Sequence, residues 1–533
     1  MKVNKIVVVG GGSSGWMTAA TLVKEFPTKD ITVIESKDVP IIGVGESTLG
    51  GIRNWTSFIG LDEHSFFKHT DASYKLSIKF TDFYKKDFGS FHYPFGNAHK
   101  VAENRNPMED WHMKKYFYPE TDSDDFTDCL FPASSLFKNN KYSSNEFQDF
   151  GDFNPNTDVA YHFDAIKFGI WLRDQYCIPA GVKHVQATVT GANVSEEGIE
   201  YLILDNNEHV LGDLYIDCTG FSSLLLGQYL KEPFDSFSDI LPNNRAWATQ
   251  IKYKDKTKEL EGYTNCTAIE NGWCWNIPLW SRLGTGYVYS DKFVTPEEAK
   301  QQFKNYLMSN KMVVPRTQEE VDSLEFKNIS MRVGIHKKTF VKNVVAIGLS
   351  AGFIEPLESN GLFTVHEFLF SLLDVLQRED ISQFDRDMYN IDVKNTFTNF
   401  ASFVALHYAL SHRDDTEYWR DIKNRTVFNL RNFDPATVKE RSKVDGFYDV
   451  VYRYMDQWAY ANDNNGIQYI ATGLQLYMLN NQRALRIQKH SGKNLIGEIN
   501  NVIDIWDVKK KRWQLAAENS PTLEEYLFKN FYS

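Results

Sequence analysis

Cysteine is scarce and unpatterned in this 533-residue chain. Cys129, Cys177, Cys218, Cys266 and Cys274 are scattered, odd in number and without CxxC spacing. Such a set excludes a disulfide frame and a zinc site, and reads as the reduced structural thiols of a cytoplasmic protein. Long apolar runs are missing too: no stretch approaches the roughly 18 residues that a membrane span needs. The opening Met1-Lys2-Val3-Asn4-Lys5-Ile6 runs straight into a strand pattern, so neither signal peptide nor membrane partner is expected. Basic clusters are absent as well. With a net charge of −12 and 24% charged residues, a nucleic-acid role is disfavoured. What the chain does have is aromatic side chains, 14% of the total, which serve either packing or the stacking of planar ligands. Its length predicts two or more modules.

The first of these opens on a dinucleotide fingerprint. Ile6-Val7-Val8-Val9 is a continuous apolar run of the kind buried in a parallel sheet, Gly10-Gly11-Gly12-Ser13-Ser14-Gly15 follows at once, and Trp16 to Phe26 has helical character. In that context Gly10 allows the tight turn, Gly12 lets backbone approach a pyrophosphate, and Gly15 permits close helix packing. Ser13 and Ser14 then lie at a helix N-terminus facing phosphates. A second strand, Ile31-Thr32-Val33-Ile34, ends at Glu35, where an acid can bind ribose hydroxyls.

The fingerprint alone does not separate FAD from NAD. Three further segments favour FAD. Gly43-Val44-Gly45-Glu46-Ser47-Thr48 is a second glycine-bearing loop, a strap whose Gly45, Glu46 and Ser47 would lie beside an isoalloxazine. Leu214-Tyr215-Ile216-Asp217-Cys218-Thr219-Gly220 and Val344-Val345-Ala346-Ile347-Gly348-Leu349-Ser350-Ala351-Gly352 are apolar strands closing on small-residue turns. Their wide separation resembles the interrupted FAD domain of the aromatic hydroxylase type, in which a segment like Val182 to Val189 passes the adenine; Val189 is carried over on that basis. Hydroxylases of this type usually carry Asp after the late glycine, whereas Gly348 is followed here by Leu349. No second GxGxxG is visible, which points to a separate flavin reductase as the source of reduced flavin.

Gly272-Trp273-Cys274-Trp275-Asn276-Ile277-Pro278 puts two indoles on one face of an extended segment. They form either a core pair or a rigid apolar wall. The GWxWxIP string resembles the signature of the flavin-dependent halogenases, the tryptophan halogenase family, and other segments share the resemblance. In Ser73-Tyr74-Lys75-Leu76-Ser77-Ile78-Lys79-Phe80, Lys79 resembles the catalytic lysine of the family's IKF, with Lys75 as the neighbouring alternative. By composition alone Lys79 would be a snorkelling strand-edge side chain. Ala351-Gly352-Phe353-Ile354-Glu355-Pro356-Leu357-Glu358-Ser359-Asn360-Gly361 resembles GFxEPLES, which makes Glu358 the carboxylate opposite the lysine and the Asn360 and Gly361 amides a halide nest. The tryptophan enzymes have Thr where this chain has Asn360. The alternative for Glu358 is a capping carboxylate on a helix from Phe363 to Leu372.

The resemblance implies an FADH2-dependent halogenase. It would use O2 and chloride, bromide or iodide to halogenate an electron-rich aromatic such as an indole or phenol, with hypohalous acid guided past Trp273 and Trp275 to Lys79 and Glu358. Phe91-His92-Tyr93-Pro94-Phe95-Gly96 resembles FYHPFG with His and Tyr exchanged, so Tyr93 and Phe95 would stack on the substrate, and Trp458 is a further wall candidate. The expected fold is α/β: a Rossmann-like FAD domain of the hydroxylase and halogenase type with an inserted sheet over 1–370, a loop or lid at 121–158, and a mainly helical substrate-side module over 371–533. Homo-oligomerisation stays open. The rival readings are an FAD monooxygenase of the same fold and a catalytically silent flavoprotein.

Overall fold

The computed structural model describes residues 1–37, 45–144, 150–429, 436, 440, 443, 466–477 and 494–533. Two compact units interleave along the chain. The first is built from Met1–Ser73, Tyr161–Thr249 and Phe326–Val404, the second from Tyr74–Ala160, Gln250–Glu325 and Ala405–Ser533.

In the first unit the run Ile6–Val9 forms the strand Lys5–Val9, three of whose residues have no exposed surface. It pairs in parallel with Asp30–Glu35 on one side and Leu214–Asp217 on the other. Lys183–Gln186 extends the sheet beyond the former, and Val344–Ala346 beyond the latter, both in parallel; Phe340–Val341 closes the edge antiparallel. Continuous apolar strands are what a parallel sheet covered on both faces requires. The chain leaves Lys5–Val9 for a neighbour on either side, so the glycine turn after Val9 lies at the switch point where such sheets take ligands. Helix Ser13–Glu25 starts there. Two smaller antiparallel sheets complete the unit, one from Val189–Ser195, Gly198–Leu204 and His209–Leu211, the other from Phe234–Ser236, Gly334–His336 and Gly352–Phe353.

The second unit carries five strands of a larger sheet in the order Leu283–Tyr289, Gly272–Pro278, Tyr263–Ile269, Ser77–Thr81, Ser90–Pro94. All pair antiparallel except Tyr263–Ile269 with Ser77–Thr81, which is parallel. Helices Pro107–Phe117, Asp124–Leu130 and Leu495–Glu518 close over a cluster of Met108, Trp111, Phe126, Leu130, Tyr469 and Trp506.

Two expectations need correcting. Among the described residues of 121–158 the chain is not an unstructured loop: it contains helices Asp124–Leu130 and Ser134–Lys138, with Phe126, Cys129, Leu130, Leu136 and Phe137 buried. Its acidic and Asn-rich composition masks the helical spacing of 126, 129 and 130. The module boundary at 370 also fails, because helix Gly361–Leu376 runs through it and its apolar face packs within the first unit.

Candidate active site

The glycine turn in the first unit is fixed by close backbone approach. Gly10 has φ +116°, and its amide donates to the Ile34 carbonyl at 2.9 Å. A Cβ on Gly15 would stand 1.9 Å from the Gly10 carbonyl oxygen, so only glycine lets the helix begin so near the strand. Gly12 is the opposite case. A Cβ there would meet nothing within 4 Å. The turn is closed underneath and open above Gly12, at the N-terminus of a 13-residue helix, which suits a diphosphate.

Glu35 closes one side of this turn. Its Oε2 lies 2.9 Å from His184 Nε2 and 3.7 Å from Arg173 Nη1, which hold the carboxylate at the strand end. Ser13 Oγ donates to the Ala165 carbonyl at 3.0 Å. Gly348, φ +69°, sits against Ser14, where a Cβ would be 2.3 Å from Oγ, and the half-buried Leu349 follows it in a short 3-10 turn. These glycines, the two serines and Glu35 therefore converge on one edge of the sheet. Val189 begins the neighbouring antiparallel sheet, three residues beyond Gln186, the register partner of Glu35.

The strap and the carboxylate turn also meet within this unit. Glu46–Ser47 pairs with Phe163 and His162, and Ser47 Oγ lies 3.0 Å from Ser359 Oγ. Glu358, fully buried, ends the 3-10 turn Pro356–Glu358; it precedes the helix instead of capping it. Ser359 turns the chain through the left-handed region at φ +56°, and helix Gly361–Leu376 starts after Asn360. Asn360 is 1% exposed with its Oδ1 unpartnered. Glu46 faces the start of that helix: a Cβ on Gly361 would come 3.7 Å from its Oε2. Burial pushes the Glu46 carboxyl up to about 7.

In the second unit the strand register decides which candidates share a face, because residues directly opposite on adjacent strands point the same way. Trp275 stands opposite Cys266, which stands opposite Phe80, which stands opposite Phe91. Trp273 lies two residues along on the same face, and Tyr93 is on it too, opposite Ile78. The two indoles are 6.2 Å apart, both buried, and neither Nε1 has a hydrogen-bond partner among the described residues. Lys79 pairs with Asn265 and His92, so its side chain is on the other face. There its Nζ lies 5.5 Å from the Tyr263 ring. The structure does not bring Lys79 together with the tryptophans.

Lys75 is placed differently. The chain breaks strand alternation at Leu76, whose amide donates to Gly262 at 2.8 Å and whose carbonyl accepts from Phe95 at 3.1 Å. Lys75 has no exposed surface, and its Nζ lies 5.1 Å from the Phe95 ring, which neighbours Tyr93 at 6.4 Å. Counting alternate residues from Lys79 would place both lysines on one face; the break at Leu76 is the tertiary detail that the pattern does not carry. Sequence reasoning also passed over His112. Its spacing with Met108 and Trp111 marks a buried helix face, and burial lowers its imidazole to about 3, so it stays neutral. Trp458 falls outside the described residues.

The family described as tryptophan halogenase matches the chain over residues 5–461. Tryptophan 6-halogenase SttH of Streptomyces toxytricini is 35% identical over 80% of this chain and 82% of its own length. Tryptophan 7-halogenase RebH of Lentzea aerocolonigenes is 32% identical over 79% and 78%. Among solved structures, the VirX1 apo structure superposes with a TM-score of 0.88 at 33% identity, covering 100% of both chains. The glycine turn at the switch point, the buried carboxylate turn and the tryptophan strand are thus the framework of a known enzyme group: the chain belongs to the tryptophan halogenase family and is a flavin-dependent halogenase.

Proposed function

We propose that the chain uses reduced FAD, O2 and a halide to halogenate an electron-rich aromatic, an indole, a phenol or a related ring. Gly10, Gly12, Gly15, Ser13, Ser14 and Glu35 would hold the dinucleotide, with Gly45, Glu46, Ser47, Val189, Gly348 and Leu349 along the cofactor. Reduced flavin, when bound, would supply the two electrons that bring O2 to the peroxide level, and that oxidant takes two electrons from halide to give hypohalous acid, with the second oxygen leaving as water. The Asn360 and Gly361 amides hold the halide, since consecutive amides at a helix start concentrate positive potential. Trp273 and Trp275 screen the oxidising site from the ring to be substituted. Reduced flavin comes from a separate reductase.

Of the two lysines, Lys79 is the one assigned to the halogenating agent, with Lys75 as the neighbouring alternative. The Lys79 ammonium can hydrogen-bond hypohalous acid and polarise it, on the face of the sheet away from the tryptophans. Tyr93 and Phe95 stack on the substrate, and Glu358 orients the acid or accepts the proton lost from the ring. The observation that supports this reading is the strand register, which seats Lys79 between Asn265 and His92 on the face of the sheet opposite the two tryptophans.

The test is turnover with a flavin reductase, FAD, O2 and a panel of phenols and indoles, with chloride, bromide or iodide added singly and products read by mass spectrometry. Halide-dependent mass increments are expected. Oxygenated products independent of halide would make the chain a monooxygenase, and flavin binding without any product would make it a silent flavoprotein.

A further inference from the structure

A lysine that is to hydrogen-bond hypohalous acid must be held in place and yet keep its N–H groups uncommitted. A carboxylate or a carbonyl would hold it, but each acceptor occupies a donor. Lys79 is held otherwise. Its side chain is half-buried, its Nζ lies 5.5 Å from the centre of the Tyr263 ring, and it makes no hydrogen bond or ion pair among the described residues. The polar groups around it are engaged elsewhere. Asn265, its register partner on one strand, accepts from Thr81 Oγ1 through Oδ1 at 3.2 Å. His92, its partner on the other, has Nδ1 3.0 Å from Ser77 Oγ. Glu261 accepts the Tyr263 hydroxyl.

The ring is itself fixed. Tyr263 is 8% exposed, its hydroxyl is tied to Glu261, and His92 meets the ring edge-on at 5.0 Å with Phe137 stacked on the imidazole at 4.6 Å. Strand register brings the pair together: Tyr263 stands opposite Ser77 and Asn265 opposite Lys79, so Tyr263 and Lys79 are diagonal neighbours on one face. We infer that Tyr263 is a positioning residue for the halogenation: its ring face seats the Lys79 ammonium by cation–π attraction and leaves the ammonium's N–H groups for the hypohalous acid. The inference rests on the reading of Lys79 as the lysine of the halogenation. A ring quadrupole acts on the charge as a whole and claims no single N–H, so the seated ammonium can still turn its donors to a ligand. The hydroxyl has the lesser part, anchoring the ring through Glu261.

Two readouts separate this inference from the functional reading it rests on. The first is reductase-coupled halogenation by Tyr263→Phe and Tyr263→Leu, compared as full-length proteins shown to bind FAD. Tyr263→Phe keeps the ring and should keep kcat within about threefold, whereas Tyr263→Leu should lose about 10–30-fold in kcat, the scale of a desolvated cation–π contact, with the aromatic KM unchanged. The second needs no turnover. Reductive methylation with isotope-labelled formaldehyde tags the lysines without removing their charge, and the Lys79 methyl signal is identified in the NMR spectrum by its absence from Lys79→Arg. Over a ring face that signal is displaced upfield; it should stay displaced in Tyr263→Phe and move to the position of exposed lysines in Tyr263→Leu. Wild type and Tyr263→Phe carry the test even where Tyr263→Leu does not fold. A displaced signal in a protein whose Lys79→Ala variant halogenates fully would sink the functional reading and leave the seat standing. An undisplaced Lys79 signal in wild type would overturn the seat, and so would a Tyr263→Phe protein as impaired as Tyr263→Leu, since the hydroxyl and Glu261 would then be what matters.

Discussion

Gly12 and Gly15 lie three residues apart in the same turn, yet the geometry assigns them opposite responses to one methyl group. In Gly15→Ala the new Cβ would lie 1.9 Å from the Gly10 carbonyl oxygen, a backbone atom that cannot swing aside. The turn must open by more than an ångström, and overpacking of this kind costs about 3 kcal/mol. Gly12 has φ −77° and ψ −175°, which alanine adopts without strain, and no protein atom lies within 4 Å of its Cβ position. The entropy lost by the unfolded chain favours alanine by ~0.4–1 kcal/mol, and loss of glycine at the helix N-cap opposes it by a similar amount. The Gly12→Ala fold should therefore keep its stability within about 0.5 kcal/mol. Its FAD affinity should still fall at least about tenfold, roughly 1.4 kcal/mol, because the methyl occupies the space left for the diphosphate. Urea denaturation without flavin measures the first quantity and fluorescence titration with FAD the second. A Gly12→Ala protein that binds FAD like wild type, or a Gly15→Ala protein as stable as wild type, would refute the assignment of the turn.

Glu46 supplies a prediction in pH. Its folded pKa is raised to about 7, so its contribution to stability is complete below the ordinary glutamate range and is lost as the pH rises through 7. For a partly buried group the loss should be roughly 2 kcal/mol between pH 4.5 and 8, and Glu46→Gln should remove that part of the slope; identical slopes in denaturation series would contradict the burial argument. Arg316 and Glu259, both 2% exposed, form a buried ion pair in the second unit. Arg316→Ala leaves an uncompensated carboxylate and should cost about 3–5 kcal/mol in urea unfolding, whereas a loss below ~1 kcal/mol would show that Glu259 is rehydrated.

Much of this was legible in the sequence because local signals and tertiary structure agree. Ile6–Val9, the glycines and Glu35 form strand, turn and strand end as their pattern requires, since parallel sheets need continuous apolar strands and a diphosphate turn needs glycine. The tryptophan pair and the Glu358 turn were legible by resemblance. Two features were not. The helices within 121–158 are short and rich in Asp, so composition spoke louder than the spacing of Phe126, Cys129 and Leu130. The different surroundings of Lys75 and Lys79 trace to Leu76, where two hydrogen bonds to distant residues, Gly262 and Phe95, break a strand whose residues alternate on either side. Nothing local encodes those partners, so period-2 reasoning treats the lysines as equivalent.

The assignment of Lys79 is also where the account is most exposed. Product formation should be measured by mass spectrometry with one halide and one accepted aromatic, side by side for Lys75→Ala and Lys79→Ala proteins shown to bind FAD. Lys79→Ala should lose at least about a hundredfold in halogenation, the scale of a directly acting proton or hydrogen-bond donor, while Lys75→Ala keeps most of its turnover. Full halogenation by Lys79→Ala, with the loss appearing in Lys75→Ala, would contradict the account.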